Sequence, residues 1–265
     1  MMNMAHIRCP DLAWFLLLQS VMLHALCHDE TTRNVYMIGF MENQILNAPN
    51  SSCKLSLHIV NTGENTTCVN YQTKGTQLSS ISLPGRTTRV VPFSEEYMVR
   101  GSDKTQRGIR VESGDGVIIY GVNRFNETNK GSMDGFLSIP VTYADTCFYA
   151  VTLSNLSQIL LVGTVNGTSV NVTLRTNCRV NYNQRPNSNG TVINTTLDEY
   201  ETLQLQCSKG FLTGTFIQAS HPVSVFSGNK RQKILTVPTT LGHLVEQIPS
   251  VNSWGMYFVN IPPTV

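Results

Sequence analysis

Of the 265 residues, 41% are hydrophobic and only 14% are Asp, Glu, Lys or Arg, against the roughly 25% charged that soluble domains carry. The surface must therefore be polar without being ionic, and 23 Asn, 22 Ser and 28 Thr residues supply that polarity. A net charge of +2 with no basic run longer than Lys230-Arg231 argues against a protein that tracks a phosphate backbone. Aliphatic and aromatic residues spread along the whole chain argue against disorder.

The first element is not part of the globule. After His6 and Arg8 comes an apolar stretch from Leu12 to Cys27, with Ala25 and Cys27 as the small residues before a cut. This is the pattern of a secretory signal peptide over residues 1–27. A membrane anchor is disfavoured, because the stretch falls short of the ~20 residues of a span and carries Gln19, Ser20 and His24. The mature product, residues 28–265, is expected to be secreted and extracellular, with no membrane span once the signal is removed. Export predicts glycosylation, and Asn-x-Ser/Thr acceptors stand at Asn50, Asn65, Asn126, Asn155, Asn166, Asn171, Asn189 and Asn194, against roughly four expected by chance.

Five cysteines remain after the signal: Cys53, Cys68, Cys147, Cys178 and Cys207. None forms a CxxC pair and no His pair sits at zinc-finger spacing, so disulfides are favoured over a metal site. Fifteen arrangements are open. Cys53 with Cys68 and Cys178 with Cys207 are preferred, because each pair brackets a candidate hairpin. Cys147 is then unpaired or joins another chain.

Along the mature chain the apolar period is two, which is the period of half-buried strands. Lys54 to Ile59, Ile109 to Glu112, Ser169 to Leu174 and Pro222 to Phe226 all alternate, while the fuller runs Val117 to Tyr120 and Ile159 to Val162 suggest strands covered on both faces. Asn61-Thr62-Gly63, Gly114-Asp115-Gly116, Asn166-Gly167 and Asn189-Gly190 provide turns. About seventeen short strands and very little helix are expected. In the strand from Ser169, Val170, Val172 and Leu174 should point inward, leaving Asn171 and Thr173 exposed.

The chain also repeats. Offset by 106, Gly108 to Arg124 lies over Gly214 to Lys230 with one gap, placing Tyr120 on Phe226, Asn123 on Asn229 and Arg124 on Lys230. Offset by 109, Ile139-Pro140 matches Ile248-Pro249, and Tyr36 to Asn43 resembles Phe148 to Asn155. Two tandem antiparallel β-units follow, about 35–146 and 147–256, sandwich- or propeller-like, joined near Asp145. Strand Val117 to Val122 should take the same place in one unit as Val223 to Gly228 in the other. Tyr257 to Ile261 reads as the start of a third unit, so the chain is expected to be truncated at its C-terminus.

At this point the residues carry a resemblance. YETLQLQ from Tyr200, LTGTFIQASHPVSVFSGNK from Leu212 and HLVEQIPSVNSWG from His243 are similar to the N-terminal domain of the IgG Fc-binding protein family, which is secreted and mucus-associated. The likeness runs from about Tyr36 to the end, with YGVNRFNETNKGSMDGFLSIPV from Tyr120 as a weaker match. The resemblance implies a pair of cysteines after SGNK and before HLVEQ that bond each other; here Arg231 and Leu241 stand there. Fc binding is implied by the family name only.

An enzyme reading finds little chemistry. His243 with Glu246 would suit an acid/base or metal pair on a helical turn, but a single such pair lacks a third ligand. GxSxG, HExxH, a phosphate-cradling glycine loop and calcium DxDxDG spacing are all missing. No cofactor, metal or nucleic-acid partner is implied. The expected function is a non-enzymatic recognition or adhesion module for an extracellular protein or glycan, with Asn229, Lys230, Arg231, Lys233 and His243 as a possible binding loop. The alternative is a structural or assembly component of a mucus or matrix protein.

Overall fold

A computed structural model describes residues 33–44, 51–127, 130–233 and 241–257. The expected signal peptide, Asn50, residues 234–240 of the possible binding loop and the Phe258 to Ile261 part of a third unit lie outside the described residues.

Four antiparallel sheets contain nearly all of the strands. The first sheet holds β1 (Asn34–Ile38), β3 (Thr67–Thr73), β4 (Ser79–Leu83) and β7 (Ile109–Ser113), in the order β1-β7-β3-β4. Against it lies a sheet of β2 (Ser52–Asn61), β5 (Thr88–Phe93), β8 (Val117–Glu127) and β9 (Lys130–Leu137), ordered β5-β2-β8-β9. The third sheet, from β10 (Cys147–Tyr149), β12 (Thr168–Thr173), β15 (Val192–Leu197) and β17 (Phe216–Ala219), runs β10-β17-β12-β15. The fourth contains β6 (Asp103–Thr105), β11 (Ser157–Gly163), β16 (Thr202–Cys207), β18 (Val223–Lys233) and β19 (Leu241–Gln247), ordered β19-β18-β11-β16-β6. A small hairpin, β13 (Val180–Tyr182) with β14 (Arg185–Asn187), makes nineteen strands among the described residues. Among the described residues helix is confined to three single turns, Glu95–Tyr97, Val141–Tyr143 and Val251–Ser253. The chain is all-β, its small antiparallel sheets set in a propeller-like arrangement.

The two tandem units share one wiring. Order β1-β7-β3-β4 matches β10-β17-β12-β15, and β5-β2-β8-β9 matches β16-β11-β18-β19, strand for strand in chain order. The registers agree as well: Tyr36 opposes Val111 where Phe148 opposes Ile217, and His58 opposes Tyr120 where Leu160 opposes Phe226. Val117 to Val122 and Val223 to Gly228 thus occupy equivalent places. The β13–β14 hairpin is an insertion into the second unit, between β12 and β15.

Alternation follows the sequence. On β2, Leu55, Leu57 and Ile59 are buried while Lys54 is exposed. On β12, Val170 and Val172 are buried, Asn171 is exposed and Thr173 is half-buried, so the register expected for Asn171 holds. Gly167, at φ 74°, supplies the left-handed residue of the turn into that strand.

Strand β11 is buried at all seven positions. Ile159 and Leu161 enter the core of the second unit, while Leu160 and Val162 enter the core of the first. A Cβ on Gly39 would sit 2.8 Å from Leu160 Cδ2 and 2.9 Å from Val162 Cγ2, so the missing side chain at Gly39 lets the two units close up. Strand β6, from the first unit, pairs with β16 of the second through Thr105↔Thr202, Lys104↔Leu203 and Asp103↔Gln204.

Phe136 locks this seam. Its ring covers Gly121, where any Cβ would collide with it, and it lies 6.0 Å from Phe40 and 4.9 Å from Phe226 of the second unit, the latter edge-to-face. Truncating a buried phenylalanine costs about 3–5 kcal/mol. Phe136→Ala is accordingly expected to lower unfolding free energy by that amount in a urea titration. A loss below about 1 kcal/mol would show that the seam closes without it.

Candidate functional site

The seam is lined by polar groups that satisfy one another. Glu42, just beyond β1, takes Lys230 Nζ at 2.5 Å, Gln206 Nε2 at 2.6 Å and the Gly101 N–H at 2.9 Å. Its backbone is held too, the N–H donating to Gln204 Oε1 at 3.3 Å and the carbonyl accepting from Gln158 Nε2 at 3.1 Å. Burial alone would push the Glu42 carboxyl up, but Lys230, Gly101 and Gln206 together bring it below its ordinary value. Lys230 follows Phe226 and Gly228 on the face of β18 turned to the first unit, which brings it to Glu42.

The Asn that ends each repeated motif has one structural task. Asn123 Nδ2 donates to the Met41 carbonyl at 2.8 Å, and Asn229 Nδ2 donates to the Leu153 carbonyl at 2.9 Å. Both side chains are buried, each fastening the segment after the opening strand of its unit. Asn229 is therefore not a loop surface residue as expected, since its amide is consumed by backbone. Arg231 and Gln232 are half-buried, and of the described loop residues named from sequence only Lys233 is exposed.

His243 corrects the sequence reading in two ways. It lies on strand β19 and not on a helical turn, so Glu246, three residues on, faces the opposite side. The ring is also buried at 2% exposure, with Nδ1 3.4 Å from the Lys230 carbonyl and no partner for Nε2 among the described residues. Burial pushes its pKa down to about 4.

Beside this seam an open cleft of about 320 Å³ runs between Asp134 of the first unit and Val151, Leu153, Ser227, Glu246 and Ile248 of the second. Strands β9 and β19 meet at its edge, bridged by side chains: Ser132 Oγ accepts from the His243 N–H at 2.7 Å and Asp134 Oδ2 from the Val245 N–H at 2.9 Å. The cleft has a cause in the repeat. Tyr120 opposes Leu137 as Phe226 opposes Gln247, so Glu246 stands where Phe136 stands in the first unit. Phe136 fills its space, and Glu246 leaves the equivalent space open. Burial raises the Asp134 carboxyl, and burial together with the Asp134 charge raises Glu246. Two carboxyl groups over an apolar floor suit an aromatic or cationic group that brings its own donor.

Among the described residues no three His, Cys, Asp or Glu side chains gather to hold a metal. Of the acceptor asparagines, Asn65, Asn155, Asn166, Asn171, Asn189 and Asn194 are exposed and Asn126 is half-buried.

The cysteines divide. Cys178 and Cys207 are joined, with Cα atoms 6.1 Å apart. Cys53 and Cys147 are free thiols. Cys68 is disulfide-bonded, and its expected partner Cys53 is not the one it bonds. Cys53 points into the core from β2, its Sγ 3.4 Å from Asn123 Oδ1 and 3.8 Å from Met98 Sδ, whereas β3 belongs to the facing sheet and buries Val69, turning Cys68 away from that core. Burial foremost, then Glu95, pushes the Cys53 thiol up to about 11.

Sequence reasoning found the repeat and its Asn-basic ending, but missed Glu42 and the Phe136-to-Glu246 difference. The signal for the second was available: an offset of 110 along β9 and β19, one more than the Ile-Pro match, lays Glu246 on Phe136.

Residues 134–265 match the sequence profile of a family described as IgGFc binding protein. A human protein named IgGFc-binding protein is 26% identical over 235 residues, which cover 86% of this chain. The chain spans 4% of the length of that relative.

Two outcomes test the site. The folded His243 ring stays neutral down to about pH 4, whereas an unfolded histidine takes its proton near pH 6.5, so the unfolded state binds more protons in between. Stability should fall as pH drops from 6.5 to 4, and the slope over that window should flatten in His243→Phe when unfolding is followed by circular dichroism. Native-state alkylation followed by peptide mapping should modify Cys147 and spare Cys53 until the protein is denatured; early labelling of Cys53 would contradict its buried position.

Proposed function

From the match of residues 134–265 to the family described as IgGFc binding protein, we propose that this chain is a secreted, glycosylated, non-enzymatic recognition module that captures an extracellular protein ligand at the seam cleft. The observation that carries the reading is the cleft itself: an apolar floor at Val151 and Leu153, rimmed by Asp134 and Glu246, and open to solvent. Support for an extracellular setting comes from the apolar leader, from six acceptor asparagines standing in solvent and from the Cys178–Cys207 bridge, which suits an oxidising compartment. The relative's name points to the Fc region of IgG as the first ligand to try. Mucin glycoproteins are the second.

The test is capture of the secreted protein on immobilised human IgG Fc and on mucin glycoprotein. Val151→Asp with Leu153→Asp should weaken capture by at least about tenfold, or 1.4 kcal/mol, with thermal stability unchanged because both side chains are exposed. Undiminished capture by the folded variant would move the site away from the cleft.

A further inference from the structure

The cleft and a second surface on the other unit are the two halves of an interface the molecule already makes once. Within the chain, Leu160, Val162 and Phe226 on one face of the β16-β11-β18-β19 sheet cover the segment Gly39 to Met41 that follows β1. By strand register the equivalents of those three covering residues are His58, Val60 and Tyr120, on the outer face of the β5-β2-β8-β9 sheet. By the repeat, the equivalent of the covered segment is Val151 to Leu153. Neither equivalent surface has a partner among the described residues.

Both surfaces are apolar where solvent alone would favour polar residues. The outer sheet face exposes Val90, Tyr120, Met133 and Leu137. The cleft side exposes Tyr149, Val151, Leu153 and Trp254, with Tyr149 packed 4.9 Å from Phe216 and 6.2 Å from Trp254. These eight are over half of the fifteen large hydrophobic side chains exposed among the described residues, and clustering of that kind marks an interaction surface. The two surfaces have also changed together relative to the internal seam. Where the seam sets the Gln206 amide against the Glu42 carboxylate, the free faces carry Pro92 and Ser154 at the matching positions. Removing the buried acid on one side is matched by removing its amide donor on the other.

We propose that two copies of this chain associate head to tail, the outer face of β5-β2-β8-β9 on one copy covering the cleft of the next, with Tyr120 entering beside Glu246. In the seam the corresponding contact is Phe226 against Phe136. Between copies it becomes a phenol against a carboxyl, so Tyr120 brings the donor that the cleft lacks. Because Val151 stands where Gly39 stands, the second copy sits further off than the internal unit does. The two faces differ, so the contact is heterologous and leaves one of each kind free at the ends of every assembly. This inference rests on the cleft being a recognition site and names its occupant.

The experiment is sedimentation equilibrium over a roughly hundredfold concentration range, since association responds to mass action. The protein carries Asn155→Gln so that no glycan stands at the rim of the cleft. The parent should grow with concentration beyond a dimer, while Tyr120→Asp and Val151→Asp should each remain monomeric. Mixed together, those two variants should form a one-to-one dimer and nothing larger, because each retains the face that the other has lost. A parent that stays monomeric, or a mixture that does, overturns head-to-tail association. In either of those cases, Fc or mucin capture that still falls in Val151→Asp leaves the cleft as a site for a foreign ligand, and unchanged capture removes both readings.

Discussion

Strand β11 carries apolar side chains on both of its faces, and such a strand can only exist between two cores. Ile159 and Leu161 are satisfied within their own unit; Leu160 and Val162 are not, and need the first unit against them. Removing apolar surface from water at about 25 cal/mol per Å² makes exposure of such a face expensive. The rest of the seam follows from that need. Gly39 lets the backbone approach, Phe136 fills the angle between Phe40 and Phe226, and the polar groups trapped at the margin must find one another. Glu42 does so with Lys230, Gln206 and Gly101, and a buried carboxylate without them would be strongly destabilising.

The fold was legible because its signals are local. Period-two alternation at Leu55, Leu57 and Ile59 or at Val170 and Val172 reports a half-buried strand directly, and the unbroken run at Ile159 to Val162 reports a doubly covered one. The repeat was legible for the same reason: Asn123 and Asn229 meet identical demands from the segments they fasten, so the same residue stands at both. The exposed polarity of Asn171 and the Cys178–Cys207 bridge were within reach of the same reasoning.

What escaped was set by pairs distant in sequence. Glu42 and Lys230 are 188 residues apart and meet only across the seam between the units, so neither looks different from a surface charge in the sequence. Asn229 and His243 resembled loop residues because polar side chains near turns are usually solvated, yet both are buried, Asn229 against Leu153 and Asn155 of its own unit and His243 beside Ser132 of the first. Cys53 and Cys68 are close in sequence but lie on different sheets, which separates residues that a hairpin would have joined. The cleft was hidden more deeply, since it arises from a difference between repeats and not from a motif within one.

Strand β6 gives the duplication an asymmetric outcome. Its three residues leave the first unit and become the edge of a sheet whose other strands belong to the second. Excising either unit would strip β16 of that neighbour and place Leu160 and Val162 in water. A fragment boundary drawn at Asp145, however natural it looks along the chain, would cut one sheet and one shared core.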